Sequence, residues 1–268
     1  MQGARPLPRL AFGSQIAAGE RVLPEEVAVA LSFNGTTQAV MMATPADLTD
    51  FAYGFALTEG IARPEEVQSV EVVQAGRGLD LQVWLAAEAE ARLAARRRVQ
   101  AGPVGCGLCG IDSIDQALRD VPVVPHGAFR MSPSQVMAAV SALPAAQPLH
   151  DATRAAHCAA FWTGGALVAS REDVGRHNAL DKLAGWAIRS AAPVADGAVV
   201  LTCRVSTDMV QKVALLGSGL IIAVSAPTAD AVDLAEAAGI TLIALARPDR
   251  FEAYTHTDRI VTEPADVR

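Results

Sequence analysis

Two thiols stand three positions apart in Gly105-Cys106-Gly107-Leu108-Cys109-Gly110, close enough to reach one another, one metal ion or one substrate atom. Three glycines leave the backbone open to close approach. Ile111, Ile114 and Leu118 then mark a helical face, which sets both cysteines at or just before a helix N-terminus. There the macrodipole favours the thiolate and raises the nucleophilic fraction at neutral pH. Three other readings compete. The segment spells G-x-G-x-x-G, but no apolar strand precedes it, as a dinucleotide fingerprint requires. Structural zinc needs two further ligands, which only the remote His157, Cys158 or Cys203 could add. Inert cysteines in a turn would be buried, which the flanking glycines oppose. Reactive thiols are the preferred reading, and no metal is expected.

A second concentration of chemistry runs from Arg171 to Lys182, with seven ionisable side chains in twelve positions of a chain otherwise poor in charge. His177 and Asp181 stand at i and i+4, so the carboxylate is expected to orient the imidazole. The bland alternative is a solvated helix start with routine ion pairs. Two basic turns follow apolar runs: Cys203-Arg204-Val205-Ser206, and Leu245, Ala246, Arg247, Pro248, Asp249 and Arg250. Both fall beyond the carboxyl ends of expected strands, where ligands bind in open α/β sheets and arginine can fork onto phosphate.

The elements that must position these residues are partly legible. Residues 1–24 read as a loosely ordered arm. Apolar runs at 27–33 and 36–42 flank Asn34-Gly35, a hairpin signal. Thr44-Pro45 predicts a helix N-cap and first position, with Gly60 as the stop. A second strand pair is expected at 67–73 and 79–85, then a charged helix containing Arg96, Arg97 and Arg98. Ser132-Pro133 opens another helix, closed by Pro144. Apolar runs at 198–202, 220–224 and 240–245 alternate with amphipathic stretches at 206–216 and 228–238, which predicts parallel βαβ crossovers. The expectation is an α/β protein: an arm (1–24), a small N-terminal α/β domain (25–125) ending in the cysteine loop, and a larger three-layer α/β domain (126–268).

Composition narrows the partners. Of 268 residues 51% are hydrophobic and 19% charged, so disorder does not describe the chain. Twenty-nine acidic against 22 basic residues give a formal charge of −7, which disfavours duplex nucleic acid and anionic membranes as partners. No apolar run approaches the ~20 residues of a membrane span, and residues 1–23 lack a signal-peptide core. Four cysteines do not make a secreted disulfide framework, so a cytoplasmic protein is expected.

Taken together, the chain resembles the formate dehydrogenase accessory sulfurtransferase family, often called FdhD. The likeness rests on Gly105-Cys-Gly-Leu-Cys-Gly110, Glu172-Asp-Val-Gly-Arg-His177, Ala179-Leu-Asp-Lys-Leu183 and Met209-Val-Gln-Lys212. Ala223-Val-Ser-Ala226 and Tyr254-Thr-His256 add to it, and it covers the chain from about residue 25 onward. The resemblance implies a sulfur carrier that takes persulfide sulfur from a cysteine desulfurase. It passes that sulfur to the bis(molybdopterin guanine dinucleotide) molybdenum cofactor, a bound substrate rather than a resident group, before the cofactor enters formate dehydrogenase. By the same resemblance Cys106 bears the persulfide and Cys109 is its partner. Residues 245–250 form the cofactor-binding loop, the larger domain is similar to the cytidine deaminase fold, and the protein is a homodimer. The alternative is a chaperone that binds the molybdenum cofactor without transferring sulfur. A zinc deaminase is opposed by the absence of any H-x-E or C-x-E tripeptide.

Two departures from the family pattern concern the cofactor pocket. Asp249 replaces the glycine of a Lys-Pro-Gly-Arg loop, placing a carboxylate where phosphate is expected unless Arg247 or Arg250 pairs with it. The Thr-Gly-Gly type of segment before the family's histidine reads Thr153-Arg-Ala-Ala-His157 here.

Overall fold

The computed structural model describes residues 2–100 and 121–261, with side chains for 2–95 and 121–261. Strands β3 (Val27–Phe33) and β4 (Thr36–Ala43) form the expected hairpin. Asn34 and Gly35 both take positive φ at its turn (47° and 76°), the geometry that matches the twist of the flanking strands. Strands β5 (Val67–Ala75) and β6 (Gly78–Leu85) pair antiparallel, and β6 joins β3 in parallel, giving the order β4-β3-β6-β5. Helices α1 (Leu48–Thr58) and α2 (Ala87–Gln100) cover one face of this sheet. Phe51, Phe55 and Leu93 meet Val29, Leu31, Phe33, Leu81 and Val83 there, each buried large side chain contributing about 1.5–3 kcal/mol.

The first 24 residues depart from the expected loose arm. They form an antiparallel hairpin, β1 (Ala4–Phe12) with β2 (Ile16–Pro24), paired from Ala4 opposite Pro24 to Phe12 opposite Ile16. Prolines 6 and 8 suggest irregular chain, but residues two apart present their missing N–H groups to the same side of a strand. A ladder running through the intervening residues on the other side survives them.

A second sheet of six strands carries the larger part of the chain. The sequence pattern assigned no strands to 157–173, yet β7 (His157–Thr163) and β8 (Ala166–Asp173) form a hairpin turned by Gly164 and Gly165. The expected apolar runs are β9 (Ala198–Leu201), β10 (Leu220–Ala223) and β11 (Thr241–Arg247), mutually parallel, and a short β12 (Arg250–Ala253) returns antiparallel on β11. The order is β12-β11-β10-β9-β7-β8.

Helix α3 (Pro133–Ala142) lies on one face, opened by a capping box between Ser132 and Gln135, and the short α4 (Pro148–Thr153) follows it. Helices α5 (Arg176–Arg189), α6 (Thr207–Leu216) and α7 (Ala229–Ala237) lie on the other. The result is the expected three-layer α/β arrangement. Among the described residues no helix is long and apolar enough to cross a membrane.

The two sheets are joined through α1 and α5, which cross almost backbone to backbone. A Cβ on Gly54 would stand 1.6 Å from the Asp181 carbonyl oxygen, and one on Gly185 would stand 1.8 Å from that of Asp50. Only glycine fits at either position. Helix α1 also begins later than the Thr44-Pro45 signal predicts, at Leu48. Thr44 is withdrawn from capping because its polar groups are used across this junction. Its N–H donates to Asp173 Oδ2 (3.0 Å), its hydroxyl accepts the Val174 N–H (3.2 Å), and its carbonyl accepts Lys182 Nζ (2.9 Å).

Candidate functional site

Parallel pairing puts the carboxyl ends of β9, β10 and β11 on one sheet edge, and antiparallel pairing returns the start of β7 and the end of β8 to it. The turns leaving this edge therefore gather His157, Asp173, residues 202–206, residues 224–228 and residues 245–250. They are tied into one surface. Cys158 and Thr202 exchange backbone and hydroxyl hydrogen bonds, the Val205 N–H donates to the Ala226 carbonyl, and the Leu245 N–H donates to that of Ser225. Helices α5 and α6 both begin here, so two positive helix ends face the same space.

The charged cluster splits into two jobs. Asp173, Asn178, Asp181 and Lys182 are buried and hold the structure together. Asp173 accepts from Lys182 Nζ (2.6 Å), the Gly175 N–H (2.7 Å), Asn178 Nδ2 (3.0 Å) and the Thr44 N–H (3.0 Å). Asp181 accepts from Lys212 Nζ (2.9 Å) and the Thr58 hydroxyl (2.6 Å), while Lys212 also reaches Glu59 at 2.6 Å. Arg171 and Arg189 both grip the buried Asp50 of α1. Glu172 accepts the Leu149 and His150 N–H groups at the start of α4 (2.8 and 2.7 Å), and burial pushes its carboxyl above the usual range.

Arg176 and His177 do the other job, facing the sheet edge. The expected His177–Asp181 pair does not form. Asp181 turns into the junction toward Lys212, and His177 pairs instead with Asp208 on the first turn of α6. Spacing at i and i+4 permits a contact, but a buried lysine and a hydroxyl outbid a half-buried imidazole for a desolvated carboxylate. Burial works against the Asp208 charge, yet the His177 imidazole paired with it holds its carboxyl well below the usual range. Burial, with Arg176 close by, lowers the His157 pKa, so this ring is neutral at pH 7.

Arg176 has an unusual position. Its charge bears on both His157 and Cys203, and its Nε is buried without a hydrogen-bond partner among the described residues. A buried N–H left in this way costs about 1–3 kcal/mol, and an anionic oxygen supplied from outside would remove that cost.

The loop of Leu245, Ala246, Arg247, Pro248, Asp249 and Arg250 is a tight hairpin between β11 and β12 at the same edge. Leu245 takes φ of 51°, a left-handed conformation strained for a branched side chain, and the ladder is irregular between Ala244 and Arg247. Arg247 Nη1 donates to the Val224 carbonyl (2.6 Å), fixing one face of its guanidinium against the neighbouring turn. The anomalous Asp249 is met by Arg250 at 3.3 Å, both side chains more than 70% exposed, so its charge is answered locally and weakly.

Cys106 and Cys109 lie outside the described residues. The other two cysteines are buried and unbonded. Desolvation pushes the Cys158 thiol far up and that of Cys203 up to about 11, so neither is a thiolate near neutrality. Among the described residues no three His, Cys, Asp or Glu side chains are grouped to hold a metal, and a zinc site shared with Cys106 and Cys109 would lie outside them. The spacing of residues gave no sign that Arg176 would be left without a partner, since that depends on which way a helix N-terminus turns.

Against known proteins, a family model described as FdhD/NarQ matches residues 24–261. A sulfur carrier protein FdhD of Agrobacterium fabrum is 55% identical over 248 residues, 91% of each chain. One from Brucella abortus is 52% identical over 243 residues, 90% of each. A crystal structure of a protein from Desulfotalea psychrophila, described as a formate dehydrogenase accessory protein, superimposes with a TM-score of 0.76 at 23% identity. It covers 96% of this chain and 99% of that one. This likeness shows the fold, and none of these matches bears on the expected likeness to cytidine deaminases.

Proposed function

The chain belongs to the FdhD/NarQ family, and from that premise we propose that it is a sulfur carrier in formate dehydrogenase maturation. Cys106 accepts persulfide sulfur from a cysteine desulfurase and delivers it to the bis(molybdopterin guanine dinucleotide) molybdenum cofactor. The observation that carries this reading is the sheet edge where Arg176, Arg204, Arg247 and Arg250 gather, with the Arg176 Nε lacking any partner among the described residues. A pyrophosphate-bearing substrate supplies the oxygens such a surface lacks. The low pKa of Asp208 and its bond to His177 keep an oriented imidazole beside that surface.

The chemistry balances as thiol exchange. The Cys106 thiolate attacks the terminal sulfur of the donor persulfide; a Cys106 S–S bond forms, the donor S–S bond breaks, and the donor cysteine leaves as thiolate. Attack of the Cys109 thiolate on Cys106 Sγ then releases hydrosulfide. That step reduces the carried sulfur by two electrons and leaves a Cys106–Cys109 disulfide, which a dithiol reductant reopens. The burial of Cys158 and Cys203 supports this division of labour, since two protonated interior thiols cannot compete for the sulfur. In this reading the carrier is cytoplasmic, works as a homodimer and hands the loaded cofactor to formate dehydrogenase.

The test is intact-mass measurement after incubation with a cysteine desulfurase and cysteine. The expected result is an added 32 Da, the mass of one sulfur, that maps to the Cys106–Cys109 peptide and disappears in Cys106→Ala. Unchanged labelling in Cys106→Ala refutes the role given to that residue. Formate dehydrogenase activity surviving Cys106→Ala with Cys109→Ala would make the chain a cofactor chaperone instead.

A further inference from the structure

A cavity opens at the opposite edge of the six-stranded sheet, where β10 and β11 begin. Its volume is about 100 Å³, and it is lined by Val124, Pro125, Gly127, Phe129, Ala195 and Arg259 together with Gly217 and Gly219. Most of that wall is apolar. Arg259 is the exception: the residue is 3% exposed, and although Nη1 donates to the Thr241 hydroxyl (3.1 Å), Nη2 is buried with no partner among the described residues. Among the described residues no carboxylate forms an ion pair with this guanidinium. The adjacent Asp258 points outward to His126 (2.7 Å), and Arg130 adds a second positive charge nearby. Arginine does not escape burial by losing its proton. A buried guanidinium with no ion-pair partner among the described residues, facing this cavity, therefore favours an anion there.

The walls define the anion. One free N–H edge cannot satisfy phosphate or sulfate, which carry more charge and more acceptor oxygens than the cavity offers donors. A monocarboxylate matches: it carries one negative charge, and its oxygens face the guanidinium while a short hydrocarbon end meets Val124, Pro125 and Phe129. The cavity is about three times the ~30 Å³ share of one liquid water, enough for an anion of a few heavy atoms. We infer that Arg259 and the residues around it form a binding site for a small monocarboxylate, separate from the sheet edge proposed for the cofactor and independent of the sulfur-carrier reading.

Calorimetric titration of the full chain with sodium acetate at low ionic strength tests this, with sodium phosphate and sodium chloride as parallel arms. Saturable acetate binding is expected, with phosphate and chloride at least tenfold weaker. Arg259→Gln is expected to weaken acetate at least tenfold. Because that change also loosens Thr241, Gly127→Leu gives a second arm. Gly127 lines the cavity with unstrained φ, and a Cβ there meets nothing nearer than the Ala195 carbonyl at 4.0 Å, so the backbone has room for a side chain, and leucine is expected to occupy the cavity. Gly127→Leu should also lose acetate while keeping the ligand-free melting temperature. The inference is overturned by no saturable acetate binding to the parent chain, by undiminished binding in Gly127→Leu, or by phosphate binding as tightly as acetate.

Discussion

Replacing Lys212 with methionine keeps the length of the side chain and removes its charge. The parent lysine is 5% exposed and bonds to Asp181, Glu59 and Thr58, joining α6 to α1 and α5 at once. Without it Asp181, 1% exposed, keeps only the Thr58 hydroxyl from this network as its donor. Breaking one side of a buried pair costs about 3–5 kcal/mol, a large part of a total near 5–15. At about 2–4 °C per kcal/mol for a chain of this size, the melting temperature should fall by roughly 6–20 °C.

The deficit should also depend on pH in a definite sense. Burial already raises the Asp181 pKa, and Lys212 is the main opposing influence, so Lys212→Met raises it further. A carboxyl whose folded pKa lies above its unfolded value of about 3.9 binds more protons when folded, so stability falls as pH rises through that window. The lysine's own pKa is raised by Asp181 and Glu59 despite burial, so its contribution is complete below about 10.4 and flat across the window. Urea unfolding should therefore show a small deficit at pH 5 and the full one at pH 8, and Lys212→Met with Asp181→Leu should recover most of it. A deficit below about 1 kcal/mol, or one equal at both pH values, would refute this account of the junction.

Gly54→Ala and Gly185→Ala should each cost about 3 kcal/mol or more, visible as loss of soluble protein or a lowered melting temperature, because each methyl would overlap a carbonyl oxygen of the facing helix. With iodoacetamide at pH 8, peptide mapping should find Cys203 at least a hundredfold slower than Cys106 and Cys109 in the folded chain, and Cys158 slower still, with denaturant erasing the difference. Arg176→Gln should weaken inorganic pyrophosphate binding about tenfold to a hundredfold by calorimetry, as expected for about 1.5–3 kcal/mol from a hydrogen bond to a charged group. Equal affinity in that variant would remove Arg176 from the substrate surface.

Where local rules and tertiary context agree, the chain could be read directly. Asn34-Gly35 makes its turn whatever surrounds it, and the runs that become β9, β10 and β11 are apolar because both sheet faces are covered. Failures occur where a polar group has a choice of partners. Thr44 looks like a cap, but Asp173, 129 residues away, takes its N–H. His177 looks matched to Asp181, but the helix face bearing Asp181 is buried against Lys212. The N-terminal hairpin is not legible from residue type, because whether Pro6 and Pro8 break a strand depends on the side of it they occupy. The alternation of apolar runs places residues 203–206 and 245–250 beyond the carboxyl ends of strands, where the structure has them. It does not mark Arg176 as the residue whose Nε lacks a partner among the described residues, since no local pattern encodes an absence.

The glycine crossing of α1 and α5 has a consequence for how the protein can be cut. A fragment beginning at residue 121 would expose the notch at Gly185 to water and leave Asp173 and Asp181 short of donors that Thr44 and Thr58 supply from the missing piece. Neither half is furnished to live by itself. The two pieces should instead reassemble when co-expressed, behaving in denaturant as one cooperative body rather than as beads on a string.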